Sequence, residues 1–152
     1  MSELTIRCEC GTLTGVLEDV SPKRGNHMMC YCDDCQRYAR YLGDAEKWLD
    51  EWGGTEVFQV APAKIKILTG ADQLKCVRLK PKGIYRYYAK CCRTPIANTI
   101  SYKTAFAGLP VAILHGENKD ALLGPITHAV MELTRTVLRL SILTQSSLLA
   151  LL

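Results

Sequence analysis

The sequence feature that most constrains this chain is the placement of its eight cysteines. Three of them, Cys30, Cys32 and Cys35, fall within six residues. In an extended strand Cys30 and Cys32 project from the same face, and a turn or helix start after Cys32 can return Cys35 beside them. Zinc takes tetrahedral thiolate sites, and three protein ligands with an open fourth position are usual where the ion meets a substrate. This group therefore indicates a metal-binding reaction centre.

Length and charge limit the classes of protein to which the chain can belong. At 152 residues it fits one domain. Its net charge of +4 is mild, and Lys and Arg are scattered without a long run, so nucleic acid is not indicated as a partner. The first residues lack the basic and apolar regions of a secretory signal, and we expect a reducing, cytoplasmic setting. There, closely spaced cysteines are better explained by metal than by disulfides.

Short runs of β-branched and aromatic residues, separated by Gly and Pro, predict a mainly β (α+β) fold of small antiparallel sheets. A helix is predicted over residues 33–42, with Asp33 or Asp34 as its cap and Gly43 as its stop. Cys35 then lies in the first helical turn, where the helix dipole favours a thiolate. Residues 44–52 predict a further turn or two of helix. The predicted strands are residues 4–7, 12–17, 27–31, 55–60, 64–68, 74–79 and 84–88.

A second set of cysteines is divided between the two ends of this β region. Cys8 and Cys10 form a Cys-x-Cys-Gly turn, but two thiols cannot complete a tetrahedral site and need a distant partner pair. Cys92 supplies a third corner and Cys91 is the candidate for the fourth, although side chains of adjacent residues diverge in an extended chain. A disulfide between Cys91 and Cys92 is an alternative, at odds with relaxed disulfide geometry. Lone Cys76 is predicted to be a buried apolar residue.

The region after residue 110 predicts a C-terminal helical extension, residues 111–152, packed on the domain formed by residues 1–110. From residue 124 onward apolar residues recur on one helical face, which predicts packing on the sheet or on a second copy of the chain as a homodimer. Three charges interrupt any run of about 18 apolar residues, so a membrane span is not predicted. The apolar positions are Val130, Leu133, Val137 and Leu140, and the charges are Glu132, Arg135 and Arg139.

Taken together, Cys8-Glu9-Cys10-Gly11, the Cys30 to Gln36 segment and Cys92-Arg93-Thr94-Pro95 resemble the glutathione-dependent formaldehyde-activating enzyme family. The resemblance covers about residues 4–100 and implies a zinc-pinned β fold called a β-tent. It also implies a structural zinc at Cys8, Cys10 and Cys92, and a second, catalytic zinc at Cys30, Cys32 and Cys35.

The chain departs from the family pattern in its third motif and at one position of the middle motif. Ala89 stands at the family's first cysteine of the third motif, and Arg93 stands where the family has glycine, so Cys91 either compensates or the structural site is altered. Tyr31 replaces a histidine of the middle motif.

These observations favour a zinc-dependent carbon–sulfur lyase acting on the adduct of a small thiol, such as glutathione, with a small carbonyl compound. The activity implied by the resemblance is the synthesis of S-hydroxymethylglutathione. Asp33 or Asp34 is a candidate proton acceptor, Arg37 a candidate for binding a substrate carboxylate, and His27 the best histidine candidate for proton transfer. One alternative is a non-catalytic, zinc-stabilised binding module, in which both cysteine groups have four protein ligands. Another is a redox protein that uses Cys30, Cys32 and Cys35 as thiols.

Overall fold

A computed structural model describes residues 2–101, 103 and 105–130, and the fold is mainly β, as the sequence predicts. The strands form two sheets. In chain order the strands are β1 (Leu4–Arg7), β2 (Thr14–Leu17), β3 (Asn26–Cys30), β4 (Thr55–Val60), β5 (Ile65–Thr69), β6 (Leu74–Val77), β7 (Tyr85–Ala89), β8 (Thr94–Thr99), β9 (Ala107–Pro110), β10 (Leu114–His115) and β11 (His128–Val130).

The smaller sheet has the strand order β10-β1-β2-β5, and the larger sheet has the order β11-β3-β4-β9-β8-β7-β6. All neighbouring strands are antiparallel except β11, which runs parallel to β3. One hydrophobic core contains side chains from both sheets, among them Ile6 and Leu17 of the smaller sheet and Phe58 and Leu109 of the larger. Burial of these side chains therefore holds the two sheets together.

Helix α1 (Asp33–Leu42) has the predicted bounds, but its N-cap is Cys32 rather than an aspartate. The backbone of Cys32 is extended and its sulfur accepts a hydrogen bond from the Cys35 N–H. The sulfur therefore takes the place of the side-chain oxygen that usually caps a helix. Gly43 ends the helix in the left-handed conformation with φ of 103°. Two shorter helices follow, α2 (Ala45–Trp48) and α3 (Lys119–Leu123).

Two central strands of the larger sheet lie where no strand was predicted. β8 begins shortly after Cys91 and Cys92. Its first four residues are all buried and include Pro95, so the strand lacks the usual alternation of apolar and polar residues. β9 contains Gly108 and ends at Pro110, residues that normally indicate a chain break. Both strands are almost wholly buried between neighbours, and tertiary packing outweighs their local preferences.

Residues 111–130 complete both sheets rather than forming a continuous helical extension. β10 pairs with β1, and β11 pairs with β3 over His128 to Val130. The helix predicted from residue 124 is therefore wrong for residues 128–130, because the free edge of β3 provides backbone partners that a helix would leave unpaired. Leu133, Val137 and Leu140 lie outside the described residues, as does the dimer predicted through them. No helix of the described part is long and apolar enough to cross a membrane.

Candidate metal centre

The first cysteine cluster joins two turns that are far apart in the sequence, and we call Cys8, Cys10, Cys91 and Cys92 the quartet. One pair lies between β1 and β2, and the other lies between β7 and β8. The Sγ atoms of Cys10 and Cys91 are 3.4 Å apart. Within the pairs, the Cys8–Cys10 and Cys91–Cys92 sulfur distances are 3.7 and 3.8 Å. The structure thus brings Cys8 and Cys10 together with Cys91 and Cys92, and Cys91 supplies the fourth sulfur.

Local backbone geometry explains how two adjacent cysteines reach one point. Residues 90–93 form a turn rather than an extended strand, and the Arg93 N–H donates to the Ala89 carbonyl. The divergence expected of neighbouring side chains in an extended chain therefore does not apply. Arg93 itself adopts a left-handed conformation with φ of 56°. Glycine, which the formaldehyde-activating enzyme family has at this position, adopts this conformation more readily than arginine.

Hydrogen bonding with the surroundings favours negative charge at two of the quartet's sulfurs, those of Cys10 and Cys92. The Leu13 N–H donates to Cys8 Sγ, while the Thr12 and Thr94 hydroxyls lie 3.2 and 3.0 Å from Cys10 Sγ and Cys92 Sγ. Interaction with Thr12 lowers the pKa of Cys10 to about 6, whereas burial raises the pKa of Cys8. Thr94 is fully buried and also accepts from the Glu9 N–H, so it links the two turns.

The second cluster, which we call the trio, consists of Cys30, Cys32 and Cys35. Cys30 ends β3, Cys32 caps α1, and Cys35 lies in the first turn of that helix. Cys30 Sγ lies 3.3 Å from Cys32 Sγ and 3.2 Å from Cys35 Sγ. Hydrogen bonds from the Cys30 and Cys35 thiols lower the pKa of Cys32 to about 2, whereas the hydrogen bonds of Cys30 with Cys32 and Cys35 raise the pKa of Cys30.

Both clusters fit a thiolate-bound metal ion. A tetrahedral site with Zn–S bonds of about 2.3 Å places its sulfurs about 3.8 Å apart. Within each cluster all Sγ atoms lie within 4.8 Å of one another. The quartet distances of 3.4 to 3.8 Å match this geometry closely, and the trio needs its sulfurs to separate by a few tenths of an ångström. Among the described residues, four potential ligands meet at the quartet and three at the trio.

A buried arginine next to the trio is a feature that the sequence analysis missed. Arg86 in β7 is only 2% exposed, and its two terminal nitrogens lie 3.8 and 3.9 Å from Cys35 Sγ. Its guanidinium also stacks over the Tyr38 ring at 4.9 Å. Arg86 lies between tyrosines in the strand predicted over residues 84–88, and a charged residue in the middle of such a strand is the signal that indicates a charged partner.

A cavity of about 160 Å³ opens beside the trio and is bounded by Cys30 and Cys35. Clefts of about 310 and 450 Å³ lie elsewhere, and none of their described lining residues is a cysteine. A cleft of about 270 Å³ reaches Cys8, but there four sulfurs already meet. The smaller cavity beside the trio is therefore the better candidate for a substrate site, because it adjoins a cysteine group with three potential ligands among the described residues.

Comparisons with known proteins identify a family and a fold. Residues 1–137 match a family described as "Family of unknown function (DUF6151)". The chain belongs to this family. The crystal structure of a Rhodobacter sphaeroides protein is similar to this DUF6151 protein with a TM-score of 0.56 and 17% identity, covering 83% of this chain and 99% of that one. At that identity the likeness concerns the fold alone. No protein with a curated description gives a significant match.

Other residues singled out in the sequence have structural roles in this DUF6151 protein. His27 lies on the face of β3 opposite Cys30, and its ring nitrogens contact the Gly124 carbonyl at 2.7 Å and Glu56 at 2.6 Å. Asp34 pairs with Lys80 at 2.8 Å. Cys76 is exposed rather than buried, because β6 is an edge strand of the larger sheet.

Proposed function

We propose that this DUF6151 protein is a zinc-dependent enzyme that forms or breaks a carbon–sulfur bond in the adduct of a thiol with a small carbonyl compound. The observation that carries the proposal is the difference between the two clusters: among the residues that the structure describes, four sulfurs meet at the quartet, whereas three potential ligands meet at the trio, beside a cavity. Structural zinc sites usually have four protein ligands, and catalytic sites keep one position for substrate or water. We accordingly assign the quartet to folding and the trio to chemistry.

The choice of reaction is supported by the resemblance of the cysteine motifs to the formaldehyde-activating enzymes that use glutathione. Zinc held by Cys30, Cys32 and Cys35 would lower the pKa of a bound thiol and stabilise the thiolate. Three cysteine ligands make the ion electron-rich, which favours thiol activation over water activation. In the proposed reaction the thiol would lose its proton, its sulfur would donate an electron pair to the carbonyl carbon as the C=O π bond opens, and the oxygen would take up one proton in balance.

Residues of this chain would assist the reaction by charge and by position. The guanidinium of Arg86 offsets the negative charge that three thiolates bring into a buried setting. The side-chain amide of Asn98 lines the cavity and is suited to hydrogen-bond the oxygen on which charge develops.

Metal content and thiol binding test the proposal together. We expect about two zinc ions per wild-type chain and one in Cys32→Ala, measured by mass spectrometry under reducing conditions. With cobalt in place of zinc, 2-mercaptoethanol should alter the visible spectrum of the wild type and not that of Cys32→Ala. The wild type alone should also accelerate exchange of formaldehyde into the 2-mercaptoethanol adduct, followed by NMR.

Cys76→Ala is the matched control, because Cys76 is exposed and belongs to neither cluster. It should keep both ions, the spectral response and the exchange rate. A trio that binds zinc but never responds to a thiol would support the binding module, and a trio that binds no zinc under reducing conditions would support the redox protein. Either result would overturn the proposal that this protein is an enzyme.

A further inference from the structure

The cavity beside the trio is apolar in character. Apart from the trio cysteines Cys30 and Cys35, its described lining residues are apolar or carry uncharged polar side chains. The nearby guanidinium of Arg86 already contacts Cys35 and Tyr38 and is almost fully buried. The described lining consists of Met28, Cys30, Cys35, Val57, Gln59, Ile84, Asn98, Thr99, Ile100, Phe106 and Gly108.

The floor of the cavity is one face of the larger sheet. Val57 pairs with Met28, and Gly108 pairs with both Gln59 and Asn98, so these side chains share the face that also carries Cys30. A Cβ atom at Gly108 would come within 2.9 Å of Val57 Cγ1. Glycine at this position therefore preserves space in the floor of the cavity.

The rim of the cavity presents two apolar side chains to solvent. Ile100 is 67% exposed and Phe106 is 52% exposed. Both flank the same connection between β8 and β9, and both line the cavity. Exposed apolar side chains around an apolar depression favour binding of an apolar group, because that group removes additional surface from water.

We propose that this cavity selects a thiol whose sulfur is attached to an uncharged, apolar group about the size of a benzene ring. The inference rests on the proposed function of the trio and names its class of substrate. An apolar protein cavity of about 150 Å³ is known to hold benzene, and the cavity here measures about 160 Å³.

The same lining disfavours glutathione, the thiol implied by the sequence resemblance. Glutathione carries two carboxylates and an ammonium group, and a carboxylate that is moved from water into an apolar site needs a charged or hydrogen-bonding partner. The described lining offers amide and hydroxyl groups but no cation. The cavity is also about half the lower limit of about 300 Å³ that is usual for drug-sized ligands.

Titrations of the intact, cobalt-substituted protein test the inference. Benzyl mercaptan should change the visible spectrum with an affinity at least about tenfold higher than glutathione, which corresponds to about 1.4 kcal/mol. Benzyl alcohol, which has the ring but no thiol, should bind in the cavity without changing the spectrum. Its binding is followed by ligand-observed NMR and by competition with benzyl mercaptan.

Two variants locate the binding site. Gly108→Ala should weaken benzyl mercaptan at least about tenfold while leaving 2-mercaptoethanol within about twofold, because only the larger ligand needs the floor space. Phe106→Ser, at an exposed position where folding is not at stake, should weaken benzyl mercaptan about fivefold. Leu68→Ser is the matched control: Leu68 is 66% exposed but lies in β5 of the other sheet, and its replacement should change neither affinity.

The outcomes separate this inference from the function on which it rests. If glutathione binds as tightly as benzyl mercaptan, or if both variants leave the affinities unchanged, the inference is wrong while thiol binding at the trio stands. If benzyl alcohol binds in the cavity but no thiol alters the cobalt spectrum, the cavity is apolar as described and the proposed function fails.

Discussion

At the scale of single residues, Arg86 is the side chain whose removal should reveal most about the trio. It is buried within 4 Å of Cys35 Sγ and stacks on Tyr38. At such a distance a charge pair is worth about 4 kcal/mol at an effective dielectric constant of about 20. We expect Arg86→Met to weaken zinc binding at the trio at least about tenfold, measured by competition with a chromophoric chelator.

Arg78→Met is a suitable control for that substitution. Arg78 also stacks over a tyrosine, Tyr85, at 4.6 Å and donates to the Gly83 carbonyl, but it contacts no clustered cysteine. Zinc affinity should be unchanged in this variant. Equal weakening in both variants would mean that the effect comes from general loosening of the strands around the helix and not from the charge of Arg86.

Arg93 lends itself to a prediction about backbone strain. Its guanidinium donates to the carbonyls of Tyr41 and Leu42 at the end of α1, while its backbone has φ of 56°. Both Arg93→Ala and Arg93→Gly lose the side-chain bonds, but only glycine is free of steric cost in this conformation. We expect Arg93→Gly to be more stable than Arg93→Ala by about 1 kcal/mol in urea unfolding.

The neighbouring Lys90 provides the reverse comparison. It lies in the same turn but not at positive φ, so Lys90→Gly should be less stable than Lys90→Ala. If alanine and glycine rank in the same order at both positions, the left-handed conformation assigned to Arg93 is not what decides the difference.

At the scale of elements, the turn after β5 connects the smaller sheet to the quartet. Gly70 has φ of 72°, and a Cβ atom there would overlap the Thr12 carbonyl oxygen. The turn continues to Gln73, whose carbonyl accepts a hydrogen bond from the Lys90 N–H, next to Cys91 and Cys92. We expect Gly70→Ala to destabilise the fold by more than the cost of about 1 to 2 kcal/mol for a left-handed alanine, measured by urea unfolding.

Gly43→Ala isolates the conformational part of that cost. Gly43 also has positive φ, but a Cβ atom there would meet nothing within 4 Å. The difference between the two variants should therefore report the clash with the backbone of Thr12 and Leu13. Equal destabilisation would show that the turn can move away from residue 12 without loss.

The elements also show what could be read from the sequence and what could not. α1 and the strands β1 to β7 follow from alternation, turn residues and a helix stop, all of which are local signals. β8 and β9 were missed because their burial comes from strands on both sides. β11 was mistaken for helix because three residues carry little periodic signal, and its partner β3 lies about a hundred residues earlier in the chain.

At the site, the sequence spacing of Cys30, Cys32 and Cys35 is enough to group the trio. The membership of Cys91 in the quartet and the position of Arg86 beside the trio depend on contacts that the fold creates. The turn geometry of residues 90–93 places Cys91 in the quartet, and the packing of α1 on β7 places Arg86 beside Cys35. Neither is encoded in a short motif. The apolar cavity likewise depends on the pairing of Gly108 with Gln59 and Asn98, which no local pattern indicates.

At the scale of the whole molecule, the two clusters should contribute very differently to stability. The quartet ties a turn of the smaller sheet to a turn of the larger one, and structural zinc contributes about 10 to 16 kcal/mol in small zinc domains, as much as the whole stability of a typical domain. We expect Cys92→Ala to lose its cooperative thermal transition. Cys32→Ala should keep a melting temperature within about 5 °C of wild type.

Circular dichroism melting curves, recorded with and without a chelator, make this comparison. Chelation should bring the wild type to the state of Cys92→Ala, and Cys76→Ala should behave as the wild type does. Equal collapse of Cys32→Ala and Cys92→Ala would contradict the division between a folding site and a reacting site.

The separation of 81 residues between Cys10 and Cys91 has a consequence for how the protein is made. At translation rates of about 5 to 20 residues per second, the ribosome needs roughly 4 to 16 seconds to pass from the first of these codons to the second. The leading thiols emerge without their partners, so a quartet that binds an ion as proposed cannot enclose it until most of both sheets has been synthesised. Metal capture would then be a late event in biogenesis, and a prematurely terminated product that ends before residue 91 would not retain the ion in this way.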